Sequence, residues 1–403
     1  MNNIFIINET GSSFNGVGTW IFQMIRISKK IPYIKLNIIT FNSFNYEFEI
    51  EEHDDIIYYF IPRFYDYKFV PYSRQITLLL SLYIKDSISN IFIINHGPSL
   101  LLIKSIKKVF KLSKTIFITH NFSWCDKLFG DTNKLKQILL DKKPSHEYKS
   151  IIDSVQEEKE SYNLYDKIIC LCEDAYNILL SIYKTSPNKI HLINNTLEDF
   201  TIYSDKEIYN FKQEKKIRSS CITFIYAARV AKVKGIDILI KSIIDLLDDG
   251  INCQLIIAGS NNIPEWILNL TKKYPSSFIF IGFVNHSELI KWYQIADVGI
   301  LPSYCEQCSF TGLEMLKLGL PIVSSNGFGM TTMFNSYNSV IANIDRTDPI
   351  RSLQINLTHA LKKILSSLSL RHDLSSNAKE YFELKYNFKN TVSLYDKCFK
   401  SLF

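Results

Sequence analysis

The feature that most constrains the fold is a repeated alternation. A short, continuous run of β-branched apolar residues is followed by a turn and then by a longer amphipathic stretch. In the first half the runs are residues 4–7, 36–40, 56–60, 91–95, 115–119, 167–171 and 190–193. They are continuous rather than alternating apolar and polar, as expected for strands of a parallel sheet covered on both faces. A second series occupies 222–227, 254–258, 278–281, 298–301, 321–324 and 340–343. Between the two lies a polar stretch, 201–220, where no apolar period survives and where a linker is expected. The pattern predicts an α/β chain of two Rossmann-like doubly wound lobes, facing each other across a cleft where the strand C-termini meet. The boundaries expected are 1–205 for the first lobe, 206–385 for the second, and 386–403 for a closing helix that packs back on the first lobe.

With 403 residues there is enough chain for two cores, and 46% apolar with 21% charged residues is a globular composition. A net charge of +6 suits phosphates or acidic lipid without requiring nucleic acid, and none is expected as a partner. The longest apolar stretch, near 76–84, falls far short of the roughly 20 residues that span a bilayer. With no basic leader at its start, the chain reads as cytoplasmic. Eight cysteines form no disulfide-like framework and read as reduced core thiols. Cys305 and Cys308 form one Cys-x-x-Cys pair, but without a second pair no metal site is expected.

Two segments carry candidate chemistry. The first runs from Pro302 to Gly329, PSYCEQCSFTGLEMLKLGLPIVSSNGFG, and contains Glu306 and Glu314 with seven residues between them. A strand ends before Glu306, and a helix is expected to begin near Ser309 with Glu314 in its early turns. The unbonded N–H groups of Ser309, Phe310 and Thr311 would then point into the cleft, where the positive end of a helix receives phosphate. A carboxylate nearby can accept from sugar or ribose hydroxyls. The alternative is a helix cap with a solvated glutamate. The second segment is FIYAARVAKVKG, where Arg229, Lys232, Lys234 and Gly235 follow a strand. Two fixed cations at a strand end, Arg229 and Lys234, can neutralise a diphosphate leaving group, Arg229 through a bidentate fork. The alternative is an ordinary basic surface loop.

Taken together these segments resemble glycosyltransferase family 4, the large retaining class with the two-lobed GT-B fold. The family's Gly-Arg-Leu and Lys-Gly read here as Ala228-Arg229-Val230 and Lys234-Gly235. Its Pro-Ser, paired glutamates and Gly-x-Pro read as Pro302-Ser303, Glu306, Glu314 and Gly319-Leu320-Pro321. The likeness is dense from 222 to 334 and looser before it. It implies a transferase that moves a sugar from a nucleoside diphosphate to an acceptor hydroxyl on a glycan, a lipid-linked acceptor or a peptide, in glycan biosynthesis. It implies donor binding by Arg229, Lys234, Ser309, Phe310, Thr311 and Glu314, with Glu306 on the donor sugar and Glu314 on the ribose. In the first lobe, Gly16 and Gly18 would let backbone approach the donor phosphate or the acceptor. His120 would face the donor sugar; His96 stands at another strand end.

Ala228 replaces a usual glycine, and Cys308-Ser309-Phe310 replaces the commoner Phe-Gly, so the approach to the sugar is expected to differ. No Asp-x-Asp occurs, which argues for a metal-independent reaction with no cofactor. A basic run from Lys104, Lys107, Lys108, Lys111 and Lys114 to Lys127, Lys134, Lys136, Lys142 and Lys143 would give a peripheral contact with the inner face of a membrane, or else simply line solvated helices. Two rivals share the architecture: a nucleotide-sugar epimerase and a non-catalytic partner subunit. Donor-dependent release of nucleoside diphosphate separates them from the transferase.

Overall fold

The computed structural model describes residues 1–8, 16–62, 71–95, 97 and 99–403. They form two compact units, one of Met1–Lys127, Thr132–Glu198 and Phe388–Phe403, the other of Leu128–Asp131 and Asp199–Asn387.

The first unit is built on a sheet of β1 (Asn2–Asn8), β2 (Ile34–Ser43), β3 (Glu49–His53), β4 (Ile56–Pro62), β5 (Asn90–Ile94), β6 (Lys114–Thr119), β7 (Lys167–Cys170) and β8 (Ile190–Leu192). Their order is β3-β4-β2-β1-β5-β6-β7-β8, parallel apart from the β3–β4 pair. The interior strands β1 and β5 are isoleucine-rich and almost wholly buried, since helices cover both faces. β3 is unlike the rest: Glu-Ile-Glu-Glu-His, exposed along its whole length and paired only with β4. Charge on an edge strand discourages pairing with another chain. The closing helix Phe388–Lys400 belongs to this unit, where its Tyr395 hydroxyl accepts from Trp20 Nε1 at 3.1 Å.

The second sheet is β9 (Ile222–Ala227), β10 (Cys253–Ala258), β11 (Phe278–Gly282), β12 (Val298–Leu301), β13 (Ile322–Ser325) and β14 (Ser339–Ala342). Its order is β11-β10-β9-β12-β13-β14, all parallel. The chain passes from unit to unit between Glu198 and Asp199. The stretch expected as a linker contains the helix Asp205–Glu214, opened by a capping box in which Ser204 and Glu207 bond reciprocally. Phe211 packs this helix edge-on against Trp292, centroids 5.1 Å apart. Among the described residues no helix is long and apolar enough to cross a membrane.

Candidate active site

The C-terminal ends of β9, β12 and β13 lie side by side in the second sheet, and the loops leaving them are joined through main chain. Tyr304 N–H donates to Val233 C=O at 2.9 Å. Glu306 N–H donates to Phe328 C=O at 2.9 Å, and Phe328 N–H to Tyr304 C=O at 3.0 Å. Glycines make this closeness possible. Gly235, with φ +70°, lies so close to the Pro302 carbonyl that a Cβ would overlap it. Gly329, with φ +75°, does the same against the Glu306 carbonyl, and Gly327 against those of Ser303 and Tyr304. Positive φ and missing space exclude a side chain independently at Gly235 and Gly329. Ala228 is absent from the positive-φ residues, so backbone conformation does not require glycine there.

This frame brings Lys234 and Glu306 together. Lys234 ends a short 3₁₀ turn, Lys232–Lys234, and its Nζ lies 2.6 Å from Glu306 Oε1 and 3.4 Å from the Cys305 carbonyl. Both side chains are mostly buried, at 14% and 20% exposed. Arg229 is exposed, and among the described residues no carboxylate lies within ion-pair distance of it. Its backbone is held by Tyr226, whose hydroxyl donates to the Arg229 carbonyl at 2.9 Å. Burial drives the Tyr226 phenol well up, so it remains a donor.

The helix Phe310–Leu318 starts where expected, with Ser309 as N-cap accepting from Gly312 N–H at 3.2 Å. Thr311 Oγ1 donates to the Ala227 carbonyl at 2.9 Å and ties the helix mouth to the end of β9. One expectation is corrected. The Ser309 N–H does not point outward but donates to Met333 Sδ at 3.2 Å, because the short helix Met330–Met333 packs beneath the mouth. That short helix is anchored in turn, since the Thr332 carbonyl accepts from Tyr381, Lys385 and Tyr386 at 3.1, 2.8 and 3.1 Å. At this helix mouth, Phe310 and Thr311 present N–H groups with no acceptor among the described residues.

Glu314 is buried inside this helix, and both its oxygens are engaged. His286 Nε2 donates to Oε1 at 2.9 Å and the Tyr293 hydroxyl to Oε2 at 3.0 Å. Burial first, and then the Glu314 charge, push the Tyr293 phenol well up and keep it protonated. Neither Tyr293 nor His286 was singled out from sequence. Their spacing of seven residues, two helical turns, was the available signal.

In the first unit, His120 follows β6 and is half-buried. Its Nε2 lies 2.7 Å from Asn95 Oδ1, and Trp20 meets its ring edge-on at 5.8 Å. Asn95, fully buried at the end of β5, was not singled out from sequence. Gly16 and Gly18 lie in the first turn of the helix Gly16–Ser28 rather than in a loop. Gly16 is exposed, and a Cβ there would meet no atom of the described residues. His96 lies outside the described residues. Of the basic run, Lys107 pairs with Asp166 at 2.5 Å, while Lys104, Lys108 and Lys111 are exposed.

Residues 207–381, which hold this assembly of loops and helix mouth, match the family described as glycosyl transferases, group 1. This stretch is similar to the group 1 glycosyltransferases. Beyond it, the chain is 27% identical over 281 residues to an uncharacterized glycosyltransferase of Methanocaldococcus jannaschii, covering 67% of this chain and 65% of that one. It is 24% identical over 241 residues to the O-antigen biosynthesis glycosyltransferase WclY of Escherichia coli, covering 59% of this chain and 62% of that one. The chain therefore spans somewhat less than two thirds of the length of these curated relatives. Among solved structures, sucrose-phosphate synthase of Thermosynechococcus elongatus superposes with a TM-score of 0.78 at 15% identity, over 100% of this chain and 99% of that one. HepE of Anabaena, in complex with UDP and glucose, superposes with a TM-score of 0.73 at 12% identity over 100% of both chains. The pair of parallel-sheet units is the GT-B fold, and the loops after β9, β12 and β13 lie within the stretch that matches the family model.

Proposed function

We propose that this protein transfers a sugar, with retention at the anomeric carbon, from a nucleoside diphosphate to an acceptor hydroxyl in glycan biosynthesis. The observation that carries the reading is the glycine-pinned frame holding Lys234, Glu306 and the open N–H groups of Phe310 and Thr311 at adjoining strand ends, with Arg229 exposed on the same loop system. Arg229, Lys234 and the helix mouth take up the charge that grows on the diphosphate as its bond to the anomeric carbon breaks. Groups fixed in place before reaction are the effective form of such stabilisation. This charge stands where other enzymes use a divalent metal, so the reaction is metal-independent. The acceptor hydroxyl attacks the same face that the diphosphate leaves, and its proton passes to the departing phosphate oxygen. Glu306 and His120 meet the donor sugar and Glu314 the ribose. To reach ribose hydroxyls, Glu314 exchanges its bond from His286, which is the more exposed of its two partners.

The acceptor is a glycan, a lipid-linked glycan or a peptide, met in the cytoplasm or at the inner face of a membrane. The helices Pro71–Ser81 and Leu100–Val109 pack together. On and beside them, Leu78, Leu82, Leu101 and Leu112 are exposed along with Lys104, Lys108 and Lys111, a composition that suits anionic lipid.

Titration with nucleoside diphosphate alone tests the site. Glu314→Gln should weaken affinity and raise the apparent KM, because ribose is held alike in the ground and transition states. An unchanged affinity in that variant would remove Glu314 from the nucleotide. Release of nucleoside diphosphate that depends on both donor and acceptor tests the reaction itself, and its absence across UDP-, GDP-, ADP- and dTDP-sugars would overturn it.

A further inference from the structure

The two cations of the diphosphate site are not equivalent. Arg229 stands exposed with no carboxylate in ion-pair reach among the described residues, whereas Lys234 is already neutralised by Glu306 at 2.6 Å. Neither partner can withdraw by moving its backbone. Lys234 N–H bonds to the Ala231 carbonyl at 2.9 Å, and the next residue, Gly235, is wedged against Pro302. Glu306 N–H bonds to Phe328, and its carbonyl is covered by Gly329. The pair can open only by rotation of the two side chains. A phosphate arriving at Lys234 therefore meets a carboxylate already seated there, and two anions cannot share one ammonium at contact without mutual repulsion.

The geometry points to an exchange: Glu306 is the resident counter-ion of Lys234 in the empty site, and the diphosphate displaces it. This deepens the reading of Lys234 as a diphosphate ligand and rests on it. Displacement frees the Glu306 carboxylate, which turns to the hydroxyls of the donor sugar. A complete donor compensates for the broken ion pair through its sugar. A nucleoside diphosphate without a sugar does not, so Glu306 returns to Lys234 and competes with it. The same carboxylate thus favours entry of the intact donor and exit of the spent one. No covalent step is involved, only the partner of one ammonium group.

The bland alternative, that Glu306 touches sugar alone, predicts no change in the binding of a sugarless anion on its removal. The exchange predicts a gain. Inorganic pyrophosphate is the probe, because it carries the displaced chemistry without a nucleoside or sugar. In isothermal titration of the full chain, Glu306→Gln should bind pyrophosphate roughly tenfold more tightly than wild type, the scale of one charge-assisted contact. Glu306→Ala should shift the same way, which guards against an effect peculiar to the amide. Lys234→Ala should bind more weakly, and adding Glu306→Gln to it should restore nothing. Turnover with donor should fall in Glu306→Gln while inhibition by product nucleoside diphosphate deepens. Equal or weaker pyrophosphate binding in both Glu306 variants, with Lys234→Ala still weakened, overturns the exchange and leaves the diphosphate reading standing. Undetectable binding in wild type and both Glu306 variants overturns it too. Unchanged binding in Lys234→Ala overturns the underlying reading.

Discussion

After β9, β12 and β13 the loops of the second unit are fastened to one another by main-chain hydrogen bonds and by glycines pressed against carbonyls. After β5 and β6 of the first unit the corresponding position is held by side chains instead: Asn95 on His120, and Trp20 at the edge of the imidazole. Nearby, Glu158 reaches from helix His146–Leu164 to accept from Ser123 N–H at 2.9 Å and from the Tyr183 hydroxyl. Main-chain fastening fixes position whatever the neighbouring side chains are, and leaves motifs that can be read from sequence. Side-chain fastening depends on partners far apart in the chain, and each can be exchanged separately. The second unit should therefore tolerate few backbone changes, and the first should respond in smaller, separable steps.

The largest expected effect breaks the comparison directly. Gly329→Ala, which sets a Cβ into the Glu306 carbonyl at a positive φ, should cost about 3 kcal/mol or more of stability and abolish turnover. Gly16→Ala in the first unit should stay within about 0.5 kcal/mol of wild type. Thermal melting and a turnover assay check both, and equal tolerance at the two sites would dissolve the contrast.

Next in size, Arg229→Ala or Lys234→Ala should cut turnover by roughly 100-fold and weaken nucleoside diphosphate. His120→Ala should lower turnover while leaving nucleotide affinity in place, as its proposed contact with the sugar requires. Calorimetry with nucleoside diphosphate, alongside steady-state kinetics, separates the two patterns. Full activity in a folded Arg229 or Lys234 variant would refute the assignment.

A smaller effect should come from Glu158. Burial, the larger influence, raises its carboxyl pKa despite bonds from Tyr183 and Ser123 that lower it. The native state then keeps this proton at a higher pH than the unfolded chain. The linked stability is fully present below the unfolded pKa and is lost as pH rises through the raised native value. Glu158→Gln should flatten that fall as pH rises from the ordinary carboxyl range to neutrality. Urea midpoints across that range measure it, and an unchanged slope would mean the carboxyl is not held protonated.

The smallest expected effect is none: turnover should persist in excess chelator. Loss that magnesium or manganese restores would show that Arg229, Lys234 and the helix mouth do not suffice for the diphosphate.

Much of the scaffold was legible because a strand buried on both faces has to be a continuous apolar run, as β1, β5 and β9 are. β3 was not, because Glu-Ile-Glu-Glu-His becomes a strand only by pairing with β4. The helix Asp205–Glu214 was missed although Ser204-x-x-Glu207 announced it; one buried residue, Phe211, leaves no periodic stripe. In the site, Lys234, Glu306 and Glu314 stood in a readable order. Nothing in that order tells that Lys234 and Glu306 would pair, or that Met333 would take the Ser309 N–H from 24 residues away. Those are facts of packing. That Gly16 and Gly18 open a helix was likewise not legible, because glycine adds nothing to the apolar stripe behind it.

The Thr332 carbonyl, with three donors converging on it, makes the end of the second unit a fastening rather than a hinge. Two of the donors, Lys385 and Tyr386, are among the last residues before the chain leaves that unit after Asn387. Tension applied along the chain at that exit reaches the bonds to the Thr332 carbonyl before it reaches the body of the helix Leu368–Lys385. The neighbouring residue, Met333, grips the cap of the helix Phe310–Leu318 through Ser309. The exit and the helix mouth are thus mechanically in series: a load strong enough to free the first slackens the second.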